Sequence, residues 1–135
     1  MLTADGRAPV AFTGDLAFHG THPYTADGHS ASWLASLDTL ADDLAGVGTL
    51  YPGHGDPAGP DVLAEQRRYL LHYREVVRRL SGGEATVPSY ARAELDRAMR
   101  AFLPGAPLTW MVGLGADAVA GELAAASSER AEELT

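Results

Sequence analysis

Short apolar runs and helical repeats alternate along the first half of the chain. Residues 10–13 form an apolar, partly β-branched run, which predicts a buried strand. We expect that strand to end at Gly14 and Asp15. Residues 18–29 show no hydrophobic period and are rich in Gly, His, Pro, Thr and Asp, so they predict a loop after the strand.

A helix and a second strand follow this loop. We expect Ser30 or Ser32 to cap the helix and Gly46 to end it. Residues 47–51 then predict a short strand that stops at turn residues, which places His54 in the loop just beyond it. The apolar face of the helix carries Trp33, Leu34, Leu37, Leu40, Ala41 and Leu44.

Helical patterns fill the second half of the chain. A long amphipathic helix is predicted from Pro60 to Gly82, and another opens at Pro88. A final apolar helix is predicted over residues 108–123. The predicted units are an α/β part over residues 1–58, a helical C-terminal extension over residues 59–127 and a disordered tail over residues 128–135.

The predicted strands are too few for the predicted helices. Two short strands cannot cover the apolar faces of about four helices. An Asp5-Gly6 turn signal precedes the first strand and leaves only residues 1–4 as a hairpin partner, so one sheet edge stays unpaired. We therefore predict an α/β (α+β) fold that is part of a larger domain, or a subunit whose partner supplies the remaining sheet.

The acidic composition limits the partners of this chain. A net charge of −8 disfavours nucleic acids and anionic membranes, which leaves small molecules as substrates. Because there is no cysteine, any metal must be held by histidine and carboxylate side chains. No stretch resembles a signal peptide or reaches the length of a transmembrane helix, so we expect a cytoplasmic protein without membrane contact.

Asp15 and His54 each follow a predicted strand. Strands joined by a crossover helix are expected to lie parallel, which places both side chains at one edge of the sheet. The glycines beside them allow a ligand or metal to approach the backbone closely. Because carboxylate and imidazole groups can share a metal ion, both residues are candidate metal ligands and candidate catalytic residues.

Two segments of the sequence resemble the second half of the metallo-β-lactamase superfamily. They are Phe12-Thr13-Gly14-Asp15-Leu16-Ala17-Phe18 and Tyr51-Pro52-Gly53-His54-Gly55, with one predicted helix between them. The later run Gln66-Arg67-Arg68-Tyr69-Leu70 also looks like the hydrolase members of that superfamily. The resemblance implies that residues 1–58 are the C-terminal half of an αββα sandwich. It also implies that Asp15 bridges two metal ions and that His54 completes the shell of one of them.

The activity implied by this resemblance is metal-dependent hydrolysis. One or two zinc ions, or iron or manganese instead, would hold a hydroxide that attacks a small ester, thioester, lactone or amide. Most ligands of the family come from an N-terminal His-x-His-x-Asp-His loop. That loop is missing here, because the nearest histidine pairs, His19 with His22 and His22 with His29, have another spacing and follow Asp15.

This departure from the family pattern leaves three hypotheses. In the first, a missing N-terminal half or a second chain completes the sheet and the metal site of a hydrolase. In the second, the chain is a truncated, non-catalytic remnant or an interaction module that pairs its open sheet edge with another chain. In the third, a homo-oligomer builds a metal site from Asp15 and His54 of several copies.

The loop after Asp15 contains candidates for substrate contact. His19, His22 and Tyr24, together with His29, either shape a substrate pocket or belong to a solvated loop. Both alternatives fit a polar segment that follows a strand, because functional loops and plain surface loops have similar compositions.

Other prominent side chains have structural explanations. Trp33 and Trp110 are expected to be core anchors. His72 is expected at the surface of the long helix. The arginines of that helix predict a solvated face instead of an RNA-binding face, because Glu75 and Arg79 form an opposite-charge pair at i,i+4.

Overall fold

The computed structural model describes residues 9–134 of the chain. The predicted Asp5-Gly6 turn and the partner strand over residues 1–4 lie outside these residues. The described part has a mixed α+β architecture, which confirms the predicted fold class. Its elements are β1 (Val10–Phe18), α1 (Ser30–Asp43), β2 (Thr49–His54), α2 (Asp61–Ser81), a short 3-10 helix (Ser89–Ala91), α3 (Arg92–Phe102), α4 (Trp110–Leu114) and α5 (Ala116–Glu133).

β1 and β2 form a parallel pair, as the helix that connects them predicts. The prediction that β1 ends at Gly14 and Asp15 is wrong, because the strand stays paired as far as Phe18, opposite His54. The register is irregular between Phe12 and Gly14 and again between Gly14 and Phe18. Such irregularities bend a strand and redirect its side chains.

β2 also extends beyond its predicted end at residue 51. It covers Thr49–His54, so His54 is the last residue of the strand and does not lie in a following loop. Pro52 has no N–H to donate, but proline is tolerated on edge strands, and each strand of a two-stranded sheet is an edge strand. The proline therefore does not end the strand.

α2 takes part in two hydrophobic clusters. Its first half packs against the sheet and α1, where Leu37, Leu50 and Leu70 are almost fully buried. Its second half packs against α3, α4 and α5 around Tyr73 and Met99. This 21-residue helix therefore joins the sheet to the helical half of the chain.

The C-terminal helices differ from their prediction. The helix predicted over residues 108–123 is divided at Gly115 into α4 and α5. α5 continues through residues 128–133, which the sequence assigns to a disordered tail, because alanine and glutamate are strong helix formers. Trp110, expected in the core, is 63% exposed. No helix in the described part combines the length and the apolar character needed to cross a bilayer.

A side chain from another helix holds the N-terminus of α1. Ser30, one of the two predicted caps, is the first helical residue, and the position before it makes no side-chain capping bond. Glu122 of α5 instead accepts hydrogen bonds from Ser30 Oγ at 2.8 Å and from Ala31 N–H at 3.1 Å. Arg74 of α2 donates to Ser30 Oγ at 2.7 Å and lies 3.7 Å from Glu122. Glu122 therefore connects three helices.

Replacing Glu122 with alanine should lower the free energy of unfolding by about 2–3 kcal/mol. The variant leaves the Arg74 guanidinium, whose side chain is only 17% exposed, without its carboxylate, and it removes acceptors from the start of α1. Urea denaturation measures the difference. Glu129→Ala, at an exposed position of the same helix, is the matched control and should change stability by less than about 0.5 kcal/mol. Equal losses in the two variants would contradict the role of Glu122.

Candidate functional site

Asp15 and His54 lie side by side near the carboxyl ends of the two strands. Asp15 lies in the irregular part of β1, and His54 is the last residue of β2. The distance from Asp15 Oδ1 to His54 Nε2 is 3.5 Å. The two side chains are 81% and 45% exposed, respectively, so solvent reaches both. The structure therefore brings together the two residues that the sequence predicts to be neighbours.

Neighbouring groups fix the position of the His54 imidazole. Its ring stacks on Phe18, with ring centroids 4.7 Å apart and planes inclined by 7°. The main-chain carbonyl of His54 accepts a hydrogen bond from His19 N–H at 2.9 Å. His19 is held in turn, because its Nδ1 donates to the Asp56 carbonyl at 2.8 Å. The imidazole is therefore positioned although nearly half of it is exposed.

The residues on both sides of His54 have no room for a side chain. A Cβ on Gly53 would lie 2.5 Å from Asp15 Oδ1 and 2.7 Å from the main chain of the residue before Asp15. A Cβ on Gly55, whose φ is 96°, would overlap the His19 carbonyl oxygen. A side chain at either position would therefore overlap the neighbouring segment, at Asp15 or at His19.

The separation of the two side chains fits a shared metal ion. Two ligand atoms about 2.0–2.1 Å from one tetrahedral zinc ion lie roughly 3.4 Å apart. The observed distance between Asp15 Oδ1 and His54 Nε2 is 3.5 Å. A catalytic zinc needs three or four protein ligands, however, and residues 9–134 contain no group of three or more histidine and acidic side chains that could hold a metal. The pair fits part of a metal shell that the described residues do not complete.

A cavity of about 390 Å³ opens beside Asp15. Of the residues predicted for substrate contact, Tyr24 and His29 line this cavity, whereas His19 and His22 do not. The loop after β1 therefore contributes to a pocket through its later residues, and its earlier residues pack elsewhere.

Other walls of the cavity are not apparent from the sequence. Phe18, Asp27 and Trp33 also line it. Trp33, predicted as a core anchor, is half-buried, and its Nε1–H donates to the Leu16 carbonyl at 2.8 Å. One sequence signal could have identified Trp33 as a cavity residue: it lies in the first turn of the helix that follows the loop. No pattern in the sequence marks Asp27.

His22 lies in the interior instead of in a solvated loop. Its side chain is fully buried, its Nδ1 lies 2.8 Å from the Tyr69 hydroxyl, and its main-chain N–H donates to the Pro107 carbonyl at 3.2 Å. Burial lowers the pKa of His22, the Asp96 carboxylate opposes this shift, and Arg100 adds to it. Burial also raises the pKa of Tyr69 far above its usual value. Both groups are therefore neutral near pH 7 in the folded protein.

Comparisons of this chain with protein-family models, with curated proteins and with solved structures found no match. The resemblance to the metallo-β-lactamase superfamily therefore rests on sequence segments alone, above all the two that contain Asp15 and His54. The structure adds that these segments form neighbouring parallel strands.

Gly55→Ala should lower the free energy of unfolding by about 2–4 kcal/mol. The added methyl group would overlap the His19 carbonyl oxygen, and alanine rarely adopts the φ of 96° found here. Urea denaturation gives the stability, and the NMR signals of His54 report its displacement. The control is Gly59→Ala, where a Cβ meets nothing within 4 Å. If both variants were equally stable, the close approach at Gly55 would not constrain the fold.

Stability should fall as the pH drops below 6.5, the ordinary pKa of histidine, because of His22. Burial holds the pKa of His22 below that value in the folded state, so the unfolded chain binds more protons in acid. The contribution is fully present above pH 6.5 and is lost as the pH falls through the lowered pKa.

Urea denaturation at a series of pH values between about 8 and about 5 tests this dependence. His22→Gln should flatten the profile below pH 6.5, whereas His29→Gln, at an exposed position, should leave it as in the wild type. An unchanged profile in His22→Gln would show that another group causes the acid sensitivity.

Proposed function

We propose that this chain forms part of a metal-dependent hydrolase of the metallo-β-lactamase superfamily, acting on a small ester, thioester, lactone or amide. The observation that carries the proposal is the pair of Asp15 Oδ1 and His54 Nε2, 3.5 Å apart near the carboxyl ends of two parallel strands. The cavity of about 390 Å³ beside Asp15 has a suitable size for a small substrate. A potential ligand pair of which one member, Asp15, lines a cavity supports a hydrolytic site more than an isolated surface ion pair does.

In this proposal Asp15 and His54 are two of the ligands of one or two zinc ions. Iron and manganese accept the same donor groups. The metal would supply Lewis-acid activation of water and of the substrate carbonyl. The contribution of the chain itself is positional, because Phe18 orients the imidazole of His54. Tyr24 and Trp33 would confine a substrate beside Asp15.

The remaining ligands would come from polypeptide that covers the open face of the sheet. Phe12 is 80% exposed, and its ring stacks on Tyr51 with centroids 4.9 Å apart. Val10, two residues earlier on the same side of the strand, is also exposed. Apolar sheet faces normally pack against another layer. A second layer would cover these side chains and supply ligands next to Asp15.

We propose a small-molecule substrate and a cytoplasmic location, with neither nucleic acid nor membrane as a partner. Acidic side chains pair with arginines of α2, since Arg78 lies 2.6 Å from Glu75 and Arg79 lies 2.8 Å from Glu94. This pairing differs from the predicted contact of Glu75 with Arg79. These ion pairs support a solvated arginine face on α2. Together with the net charge of −8, they oppose attraction of the chain to the phosphate groups of nucleic acids or membranes.

A non-catalytic interaction module is the second candidate function. The exposed Phe12–Tyr51 stack favours it, because a partner chain could cover this apolar surface without any metal chemistry. The two candidates therefore share the docking of another polypeptide on the sheet and differ in whether Asp15 and His54 bind a metal.

The purified chain should bind zinc through Asp15 and His54. Two ligands should give weak binding, and Asp15→Ala or His54→Ala should weaken it by about tenfold or more. Isothermal titration calorimetry measures the affinity, and NMR of the histidine side chains locates the metal. The control is His72→Ala, which replaces a half-buried histidine of α2. It should bind zinc as the wild type does. Zinc binding that survives both ligand variants would contradict the proposal.

A second arm of this test supplies the rest of the site. If a neighbouring reading frame encodes a His-x-His-x-Asp-His segment, co-expression with this chain should give a zinc-containing complex that hydrolyses esters or thioesters. Asp15→Ala should then abolish hydrolysis without preventing complex formation. A complex with neither zinc nor hydrolysis would favour the interaction module. Self-association that is lost together with metal in His54→Ala would instead indicate the homo-oligomeric site.

A further inference from the structure

The cavity beside Asp15 combines apolar walls with two carboxylates, those of Asp15 and Asp27. Leu16, Tyr24 and Trp33 supply apolar and aromatic surface, and Tyr24 is 42% exposed. Asp27 supplies an acidic group from the loop that closes one side. A volume of about 390 Å³ lies within the range of small-molecule sites. The cavity can therefore hold a substituted ring next to a negative charge.

The Asp27 carboxylate has no cationic partner in the described part of the chain. Its Oδ1 accepts the His29 N–H at 3.3 Å, a local turn contact that leaves Oδ2 available. The ion pairs formed by arginines within residues 9–134 involve other carboxylates. No arginine lines the cavity, and the sequence contains no lysine. Among residues 9–134, no arginine therefore balances the charge of Asp27, which lies next to an apolar surface.

The neighbouring cavity shows a different charge pattern. It has a volume of about 340 Å³, lies on the other side of Phe18, and is lined by both Glu65 and Arg68. Opposite charges on one lining give no preference for the sign of a ligand. Only the cavity beside Asp15, of these two, has acidic side chains without an arginine.

We infer that the cavity beside Asp15 binds a small organic cation, an amine with an aromatic or aliphatic body. The ammonium group lies next to Asp27, and the apolar body lies against Trp33 and Tyr24. Aromatic faces near a cation add cation–π attraction to the ion pair. A carboxylate or phosphate on the same body would be repelled by Asp15 and Asp27.

The identity of this cation as the substrate rests on the proposed function, but its binding does not. The proposed metal ligand is Asp15, whereas the ammonium group contacts Asp27. The two residues line the same cavity from different elements, Asp15 from β1 and Asp27 from the loop that follows it. On the proposed function, the substrate class narrows to esters or amides that carry a basic amine.

Three probes with the same phenyl body and different charge test this inference. They are 2-phenylethylamine, 2-phenylethanol and phenylacetate, titrated into the ¹⁵N-labelled full chain without added metal. The amine should bind most tightly and the carboxylate least, with the largest shifts at Tyr24 and at the Trp33 indole. Asp27→Asn should weaken amine binding by about fivefold, the effect of losing one solvent-exposed ion pair, and leave the alcohol unaffected. Asp42→Asn, which removes the same charge from an exposed position of α1, is the control.

Several results would overturn the inference. Absence of shifts at the cavity with all three probes, equal affinity for the amine and the carboxylate, or equal effects of Asp27→Asn and Asp42→Asn would each do so. The ranking of the three probes is measured on the wild-type chain, so it tests the inference even if Asp27→Asn fails to fold. Amine binding without zinc binding would leave the inference standing and remove the proposed function. Zinc binding without a preference for the amine would overturn the inference and leave the proposed function standing.

Discussion

The close approach of two backbone segments is the constraint on which the candidate site depends. Gly53 lies so near Asp15, and Gly55 so near His19, that neither position has room for a Cβ. Parallel pairing brings β1 and β2 together along their length. The two candidate ligands lie near the carboxyl ends of these strands, where the register of β1 is irregular. The missing side chains on both sides of His54 are therefore what allow its imidazole to lie beside the Asp15 carboxylate.

α2 connects the candidate site to the rest of the molecule. The Gln66 side-chain oxygen accepts the Phe18 N–H at 3.0 Å, and the Tyr69 hydroxyl bonds to His22 at 2.8 Å. Gln66 and Tyr69 are three residues apart and so lie on one face of the helix. One helix face therefore holds both the end of β1 and the start of the loop that follows it. The same helix packs into the helical cluster, so α2 contacts both the candidate site and the C-terminal helices.

Local patterns predict the order of the elements, their parallel pairing and the candidate ligand pair, because each depends on residues close in sequence or on a general rule of topology. The strand ends depend on partners instead. Gly14 and Pro52 are both strand breakers in isolation, yet they lie opposite each other in the paired strands. His22 is buried by Tyr69, 47 residues away, and Glu122 holds the start of α1 from a distance of 92 residues. No periodic pattern reports contacts of that kind.

Solvent exposure limits what the Asp15–His54 pair contributes to stability. An ion pair whose side chains are 45% and 81% exposed contributes about 0–1 kcal/mol to stability. Glycine is required on both sides of His54, because a Cβ at Gly53 or Gly55 would overlap neighbouring atoms. The close approach of Asp15 and His54 therefore adds little or nothing to the stability of the fold. Both side chains face solvent, Asp15 lines a cavity, and the separation of 3.5 Å between Asp15 Oδ1 and His54 Nε2 is close to that of two ligands on one tetrahedral metal ion.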